Sequence, residues 1–367
     1  MSKKYTELTK KEEERALDIH KEAIAINGLS LFRHVGDVIG RFQQYCDTLK
    51  EGGVSAVNLT IASSQNIGET CSIIAHMYNL IEHVEDSMLI RTTADIREAK
   101  RLGKAGIIFG FQNTETLERK PGAMELYYNL GVRIIQLTYS EKTRAGDGCY
   151  ERTDCGVSRY GIDLINEMNK RGILIDLSHC GPKTTLEAID FSKDPVAFTH
   201  SGARGVNDFA RIKGDEEIKA MAEKGGVMGI IAESSFIKYK GGLKENRATL
   251  EDMLDHIDYL QDLIGVQHVG IGGDIPEVRD EIQLGHYDIL RRNALKAAPE
   301  EPDPVKNPSV WYLRNQSPET MWVEGFETIA ETQNITRGLV ARGYSDQEII
   351  GVLGGNFLKL FEKVWKK

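Results

Sequence analysis

Residues 172–211 read GILIDLSHCGPKTTLEAIDFSKDPVAFTHSGARGVNDFAR, and this stretch decides the fold class. It holds two short apolar runs, ILIDL and VAF, which are rich in branched residues and bounded by Gly, Pro or Asp, as is typical of buried strands. His179 closely follows the first run and His200 follows the second. Between them, Gly-Pro opens a helical pattern, because proline is tolerated at the first position of a helix. The stretch therefore predicts a strand–helix–strand unit with a histidine at the same end of both strands.

The same alternation of strand and helix continues along the rest of the chain. Besides the two strands of the opening stretch, strands are predicted at 23–28, 54–61, 105–112, 132–139, 226–232 and 268–274. Helices are expected at 9–22, 35–50, 324–342 and 345–365, and helical patterns fill the gap before the third strand. Eight strands that alternate with helices predict an α/β fold, a (β/α)8 TIM barrel of the metal-dependent hydrolase type.

The domain organisation follows from the composition, which shows no internal break. Residues 1–367 are therefore expected to form a single barrel domain. The proline-rich segment 275–320 follows the eighth strand and is too long for a simple connection. We expect this segment to be an insertion that serves as a lid or as a dimer contact.

The carboxyl ends of the predicted strands carry the candidate site, because barrel strands converge there on one mouth. Two histidines at the ends of adjacent strands, about 5 Å apart, suit a divalent metal, although a single strand-end histidine is more often a packing residue. Asp274, which follows two glycines, favours a metal or acid–base site over a cap or salt bridge. The predicted strand-end residues are Asn27, Thr60, Gln112, Tyr139, His179, His200, Glu233 and Asp274.

Two further residues near the histidines have alternative interpretations. Arg211 lies in a polar loop after His200, where it could hold a substrate carboxylate through a bidentate contact or form an ordinary surface ion pair. Cys180 could be a nucleophile or a metal ligand, but a small buried residue is the better interpretation.

Composition excludes several classes of partner. With 41% hydrophobic and 28% charged residues, the chain is typical of a globular protein. A net charge of −9 and a pI near 5.6 argue against nucleic-acid and membrane partners, which would favour a basic surface. The charged amino-terminal region lacks the apolar core of a signal peptide, so a cytoplasmic location is expected. Five cysteines are few and odd in number, so free thiols are expected.

Four motifs resemble the membrane (renal-type) dipeptidase family, peptidase family M19. They are Asp176–His179, Thr199–Arg204, His268–Asp274 and Leu353–Phe357. The resemblance implies a (β/α)8 barrel, often a homodimer, with a two-zinc site that hydrolyses dipeptides, which are small-molecule substrates. It also implies roles for single positions: His179 and His200 match the ligands of the second zinc, Arg211 the substrate-carboxylate arginine and Asp274 the catalytic aspartate.

The chain departs from this family pattern at the other half of the site. Where the family has Asp-Gly-His-x-Asp on the first strand, residues 27–31 read NGLSL, so Leu29 and Leu31 replace the ligands of the first zinc. The bridging glutamate of the family falls at Gln112, and its substrate-polarising histidine falls at Tyr139. A neutral amide is a poorer zinc ligand than a carboxylate, and leucine cannot bind a metal at all.

These departures favour one divalent metal over two. The hypothesis is a hydrolase of a small carboxylate-bearing amide, in which His179 and His200 hold one ion, most simply zinc. Asp274 would accept the proton of the attacking water, and Tyr139 would polarise the carbonyl. Glu233 or Glu115 could add a carboxylate, although surface charge is the better interpretation of both. Alternatives are a non-peptidase relative (catabolic amidohydrolase, decarboxylase or lyase) and a catalytically silent binding protein.

Overall fold

The computed structural model describes residues 3–32, 37–238, 247–276 and 320–365, together with 290–294, 296, 307 and 310. The strands in these ranges are β1 (Ala25–Leu31), β2 (Val54–Ala62), β3 (Ser87–Ile90), β4 (Ala105–Phe111), β5 (Val132–Gln136), β6 (Leu174–Asp176), β7 (Ala197–Ser201), β8 (Val227–Ile230), β9 (Val269–Ile271) and β10 (Ile275–Pro276). The helices are α1 (Lys10–Glu22), α2 (Val38–Glu51), α3 (Ile67–His83), α4 (Thr93–Leu102), α5 (Ala123–Asn129), α6 (Arg159–Arg171), α7 (Pro182–Phe191), α8 (Asp215–Glu223), α9 (Ser234–Ile237), α10 (Leu250–Ile264), α11 (Thr332–Ala341), α12 (Asp346–Ile350) and α13 (Asn356–Val364).

Eight of the strands close into a parallel barrel. The order is β1, β2, β4, β5, β6, β7, β8 and β9, and the barrel is closed by β9 pairing back to β1 through Ile271 and Asn27. The predicted (β/α)8 fold is therefore confirmed. Within the described ranges, no helix combines the length and apolarity that a membrane crossing requires.

Local sequence signals explain where several helices begin. The Thr9 side chain caps α1 by accepting from the backbone N–H of Glu12, whose own carboxylate accepts from the N–H of Thr9. Helix α7 has Pro182 at its first position, as the opening stretch predicts. Helix α1 packs against α11 and α12, and α7 packs against α6 and α8.

The interior of the barrel requires close backbone approach at Gly272, as it does at Gly28 and Gly229. A Cβ atom added at Gly272, just after β9, would lie 1.9 Å from the backbone oxygen of Thr199 in β7. Any side chain at this position would push apart the strand ends that carry His200 and Asp274. The glycine therefore lets two elements of the candidate site lie close to each other.

The last helix closes the amino-terminal end of the barrel. The apolar face of α13 carries a ladder of rings in which Phe357 stacks on Phe361, and Phe361 on Trp365, with centroid separations of 5.8 and 4.3 Å. These rings pack with residues from the starts of the strands, including Ile26, Ile134, Leu174 and Val227. The chemistry is therefore confined to the opposite end.

Several predicted boundaries were wrong. Strand β3 lies in the gap that was expected to be helical, where it pairs with the first half of β4 while β5 pairs with the second half. Strand β1 continues to Leu31, so Asn27 is not at its end but inside it. The proline-rich segment expected at 275–320 falls mostly outside the described residues.

The two carboxyl-terminal helices are also shorter than predicted. Residues 321–323 pair with 232–234, Glu324 pairs with 248–250, and Gly325 has a φ of +90°, so the helix expected at 324–342 is confined to α11. The helix expected at 345–365 is divided into α12 and α13 by a π-helical turn at Gly351–Gly355.

Candidate active site

A cavity of about 620 Å³ opens at the carboxyl ends of the strands. Its wall is made of residues that directly follow β2, β4, β5, β6, β8 and β9, together with Arg211 from the loop after β7. Six of the residues singled out in the sequence line it: Glu115, Tyr139, His179, Arg211, Glu233 and Asp274. The structure thus places these six side chains around one space.

His179, which lines the cavity, meets the more deeply buried His200. The Nε2 atoms of the two rings are 3.0 Å apart, and both residues are buried. The other ring nitrogen of each is held by a hydroxyl group: Nδ1 of His179 lies 2.8 Å from Oγ of Ser140, and Nδ1 of His200 lies 2.9 Å from Oγ1 of Thr199. The hydrogen bond at Nδ1 thus fixes the orientation of each imidazole ring.

The electrostatic surroundings keep both imidazoles neutral. Burial, followed by the positive charge of Arg211, holds the pKa of each histidine well below its usual range. Arg211 is only 2% exposed, and its Nη1 and Nη2 atoms donate to the backbone oxygens of Ser178 and His200. The arginine thus ties together the two loops that carry the histidines, and it is no surface ion pair.

Tyr139 lies against the histidine pair on the cavity side. Its ring stacks on His179 with 4.1 Å between centroids and 19° between planes. Although the residue as a whole is 42% exposed, its hydroxyl group is deep enough that burial, and secondly the carboxylate of Asp274, raises the pKa of Tyr139 to about 12. The phenol is therefore protonated at neutral pH and can donate a hydrogen bond.

Asp274 completes this part of the site. It sits in the left-handed region with a φ of +54°, and its backbone N–H donates to the oxygen of Leu29. Burial of the carboxyl group raises the pKa of Asp274 to about 7, against the lowering effect of Arg211. A carboxyl group with this pKa can exchange a proton near neutral pH.

The residues on the first-strand side do not fit a second metal. Leu29 is buried at 1% exposure and offers only hydrocarbon, as does Leu31. Gln112 is 6% exposed and its side-chain nitrogen donates to Oγ1 of Thr60, so it lies beside the cavity rather than in its wall.

A single divalent ion does fit the histidine pair. Zinc binds imidazole nitrogen at about 2.0–2.1 Å, so two tetrahedral ligands lie about 3.3 Å apart, close to the observed Nε2 separation. Neutral, oriented imidazoles are the ring states that metal binding needs. The described residues nevertheless contain no cluster of three or more His, Cys, Asp or Glu side chains that could hold a metal.

Some secondary expectations can be decided. All five cysteines are free thiols, and Cys180 is a buried small residue, 1% exposed, as expected. The interpretation of Glu233 as surface charge was wrong, because this residue is 5% exposed and lines the cavity with Glu115. Its carboxylate accepts a hydrogen bond from Ser235.

Ser140 and the loop that follows it contribute to the site without having been predicted from the sequence. Ser140 lines the cavity and contacts His179, and the backbone N–H of Cys149 donates to the oxygen of His179 at 2.8 Å. Ser140 directly follows the predicted strand-end residue Tyr139, and this position in the sequence could have indicated that it lies near the site. The loop contact has no such signal, because it joins segments that are separated by a helix.

Comparison with known proteins agrees with the geometry. The family model described as membrane dipeptidase (peptidase family M19) matches residues 39–296, which is most of the chain. An amidohydrolase from Pseudomonas aeruginosa is 30% identical, with a TM-score of 0.80, over 96% of this chain and 99% of that one. A Rhodobacter sphaeroides metallopeptidase, solved with a phosphinate mimic of L-Ala-D-Ala, shares the fold at 18% identity, with a TM-score of 0.73 over 94% of this chain and 100% of that one.

Curated relatives match over shorter stretches. A dipeptidase of Clonostachys rogersoniana is 32% identical over 220 residues, which is 59% of this chain and 55% of the relative. An uncharacterized dipeptidase of Schizosaccharomyces pombe is 35% identical over 176 residues, 47% of this chain and 42% of the relative. The chain thus spans about half the length of these curated relatives. The family match and the barrel together show that the chain belongs to the membrane dipeptidase family, peptidase family M19.

Proposed function

We propose that this chain hydrolyses an amide bond in a small, carboxylate-bearing substrate, and that His179 and His200 hold a single divalent ion, most simply zinc. The observation that carries the proposal is the pair of buried Nε2 atoms 3.0 Å apart, next to a cavity lined by Asp274 and Arg211. An ion bound there supplies Lewis acidity, which makes water easier to deprotonate and a carbonyl carbon easier to attack.

The side chains around the cavity would divide the remaining work. Asp274 accepts a proton from the attacking water and returns it to the amine that leaves when the C–N bond breaks. Tyr139 donates a hydrogen bond to the carbonyl oxygen, where negative charge develops. Arg211 lines the cavity and has a buried Nε–H without an acceptor among the described residues, so its positive charge would attract a substrate carboxylate.

Metal analysis tests the number of ions. Protein purified without added zinc, then dialysed against zinc, is expected to bind no more than one ion per chain, because Leu29 and Leu31 cannot act as ligands. His200→Ala should abolish this binding, whereas His83→Ala, which changes an exposed histidine of α3, should leave it intact. Two tightly bound ions per wild-type chain would overturn the single-ion proposal.

Activity is tested with a panel of L,L- and L,D-dipeptides, assayed with and without zinc or manganese. Metal-dependent cleavage that is lost in His200→Ala is the expected result. Cleavage that persists after the metal has been removed, or that is unchanged in His200→Ala, would contradict the proposed role of the histidine pair.

A second candidate is a reaction other than peptide hydrolysis in the same cavity. It is favoured by Leu29 and Leu31, which stand where the family pattern has the histidine and aspartate ligands of the first zinc and cannot bind a metal. A catabolic amidohydrolase, a decarboxylase or a lyase would then bind carboxylates but leave every dipeptide of the panel uncleaved. A silent binding protein would keep its ligand affinity in His200→Ala.

A further inference from the structure

Five buried residues form an unbroken chain of hydrogen bonds through the two histidines. It runs from Asp176 through Thr199, His200 and His179 to Ser140, and none of these residues is more than 8% exposed. The successive distances are 2.7 Å (Oδ2 to Oγ1), 2.9 Å (Oγ1 to Nδ1), 3.0 Å (Nε2 to Nε2) and 2.8 Å (Nδ1 to Oγ). We call this the histidine chain. Because each hydroxyl and each neutral ring carries one proton to share, the acceptor at the Asp176 end fixes the position of every proton along the chain.

The Asp176 end fixes the state of His200. Four donors converge on this carboxylate, which is therefore purely an acceptor: the backbone N–H and hydroxyl groups of both Ser178 and Thr199. Since the single hydroxyl proton of Thr199 is given to Asp176, its oxygen must accept from Nδ1–H of His200. The Nε2 atom of His200 consequently bears a lone pair.

The state of His179 follows from that of its neighbour. Two N–H groups facing each other at 3.0 Å would have no acceptor, and two lone pairs would have no proton, so Nε2 of His179 carries the proton that Nε2 of His200 accepts. The Nδ1 atom of His179 is then an acceptor, and the hydroxyl of Ser140 donates to it. Without a metal, the two rings are therefore opposite tautomers.

We propose that Ser140 is the positioning residue that lets His179 change tautomer when an ion is bound. This inference rests on the proposed single-ion function. An ion shared by both Nε2 atoms needs a lone pair on each, so the proton of His179 must move to Nδ1, while His200 already has the required form. Ser140 must then accept instead of donate, and a hydroxyl group can do both.

The surroundings of Ser140 allow this reversal. Ser140 lines the cavity, so a polar group in that space can accept the hydroxyl proton once His179 has become the donor. Alanine at this position could satisfy His179 in neither state. The bond from Ser140 to a metal-binding histidine is of the kind whose loss typically costs about 10–100-fold in metal affinity.

Proton–nitrogen NMR of metal-free protein labelled at histidine with nitrogen-15 tests the assignment directly. His179 is expected as the Nε2–H tautomer and His200 as the Nδ1–H tautomer, and zinc should convert only His179. Finding His179 as Nδ1–H in the metal-free protein would overturn the proposal. This spectrum needs no bound metal, so it decides the tautomers even if zinc does not bind and the proposed function fails.

Zinc affinity of variants tests the role of Ser140. Ser140→Ala should weaken zinc binding by about 10–100-fold, whereas Ser140→Thr, which keeps the hydroxyl, should restore it. The matched control is Ser192→Ala, which removes a buried hydroxyl bonded to Asn169 and to the backbone of Asp194, before the start of β7. A Ser140→Ala protein that binds zinc as tightly as the wild type would overturn the proposal.

Discussion

Asp274 shows how backbone conformation and burial combine in one residue of this site. The left-handed φ of +54° turns the chain from β9 into β10, and the hydrogen bond to Leu29 fixes this turn against β1. Aspartate tolerates this conformation better than most residues with a Cβ atom. The same placement removes the carboxyl group from water and raises its pKa to about 7.

The raised pKa predicts the pH dependence of activity. Only ionised Asp274 can accept a proton, so kcat/KM should rise with pH and then level off, with a midpoint at or below about 7 because a bound cation lowers the pKa of this carboxyl group. Asp274→Asn should lower kcat/KM by about 10²–10⁴-fold, the usual contribution of a general base. Asp208→Asn, in an exposed loop, is the control. A profile that shows no such rise up to neutral pH would argue against this role for Asp274.

The same shift predicts how stability depends on pH. A carboxyl group whose pKa is raised from 3.8 to about 7 on folding stabilises the protein below pH 3.8, and this contribution is lost as the pH rises through 7. In metal-free protein, Asp274→Asn should therefore gain stability over the wild type by up to about 1.4 kcal/mol per pH unit across that window. Urea denaturation at several pH values measures the difference. An advantage that is independent of pH would contradict the raised pKa.

At the scale of elements, the loop between β5 and α6 holds the start of α7 in place. Helix α7 has glycine at its N-cap and no side-chain cap of its own. Asp154 from the loop supplies one instead: Oδ2 accepts from the backbone N–H groups of Lys183 and Thr184, and Oδ1 accepts from the Thr184 hydroxyl. The loop that borders the cavity is thereby fixed to the strand–helix–strand unit that carries both histidines.

Removing this cap should destabilise the protein measurably. Asp154→Ala is expected to cost about 1–2 kcal/mol, as for loss of a helix N-cap, because two backbone N–H groups lose their acceptor. Urea denaturation measures the loss. The control, Asp163→Ala, removes an exposed carboxylate from α6 and should change stability little. Equal stabilities for the two variants would show that Asp154 is not the cap.

The elements also show which features the sequence could predict. The strands expected at 54–61 and 105–112 and the helix expected at 9–22 agree with the structure to within a residue, because long apolar runs and a capping box are local signals. Strand β3 is only four residues long and pairs with half of β4, so it gives no clear pattern. The pairing of Glu324 with Thr249 depends on distant contacts, which override the local helical pattern that begins at Glu324.

Some features of the candidate site could likewise be predicted from the sequence, and others could not. The meeting of His179 and His200 follows from adjacent parallel strand ends, which the sequence supplies. The contact of Ser140 with His179 and the burial of Arg211 depend on how the loops after β5 and β7 fold over the strand ends. Loop conformation is set by long-range contacts of this kind, so the histidine chain could only be found in the structure.

At the scale of the whole molecule, the two ends of the barrel serve different purposes. The carboxyl ends of the strands carry buried polar groups, which are costly to bury and are held by hydrogen bonds. The amino ends are closed by the rings of α13, and a Cβ atom added at Gly270 would lie 2.5 Å from the ring of Phe357. The apolar rings of α13 thus fill the amino-terminal end of the barrel.

This division predicts that Phe357 contributes to stability and not to metal binding. Phe357 is fully buried between β1 and β9, so Phe357→Ala should cost about 3–5 kcal/mol through lost burial and the cavity left behind. Phe191→Ala is the matched control, because Phe191 ends α7 with 39% of its surface exposed. Urea denaturation gives the stability, and zinc affinity reports on the opposite end of the barrel.

If Phe357→Ala does not fold, Phe357→Leu tests the same contact with a smaller loss of stability. A Phe357 variant as stable as its control, or one that stays folded but loses zinc affinity, would show that the two ends are not independent.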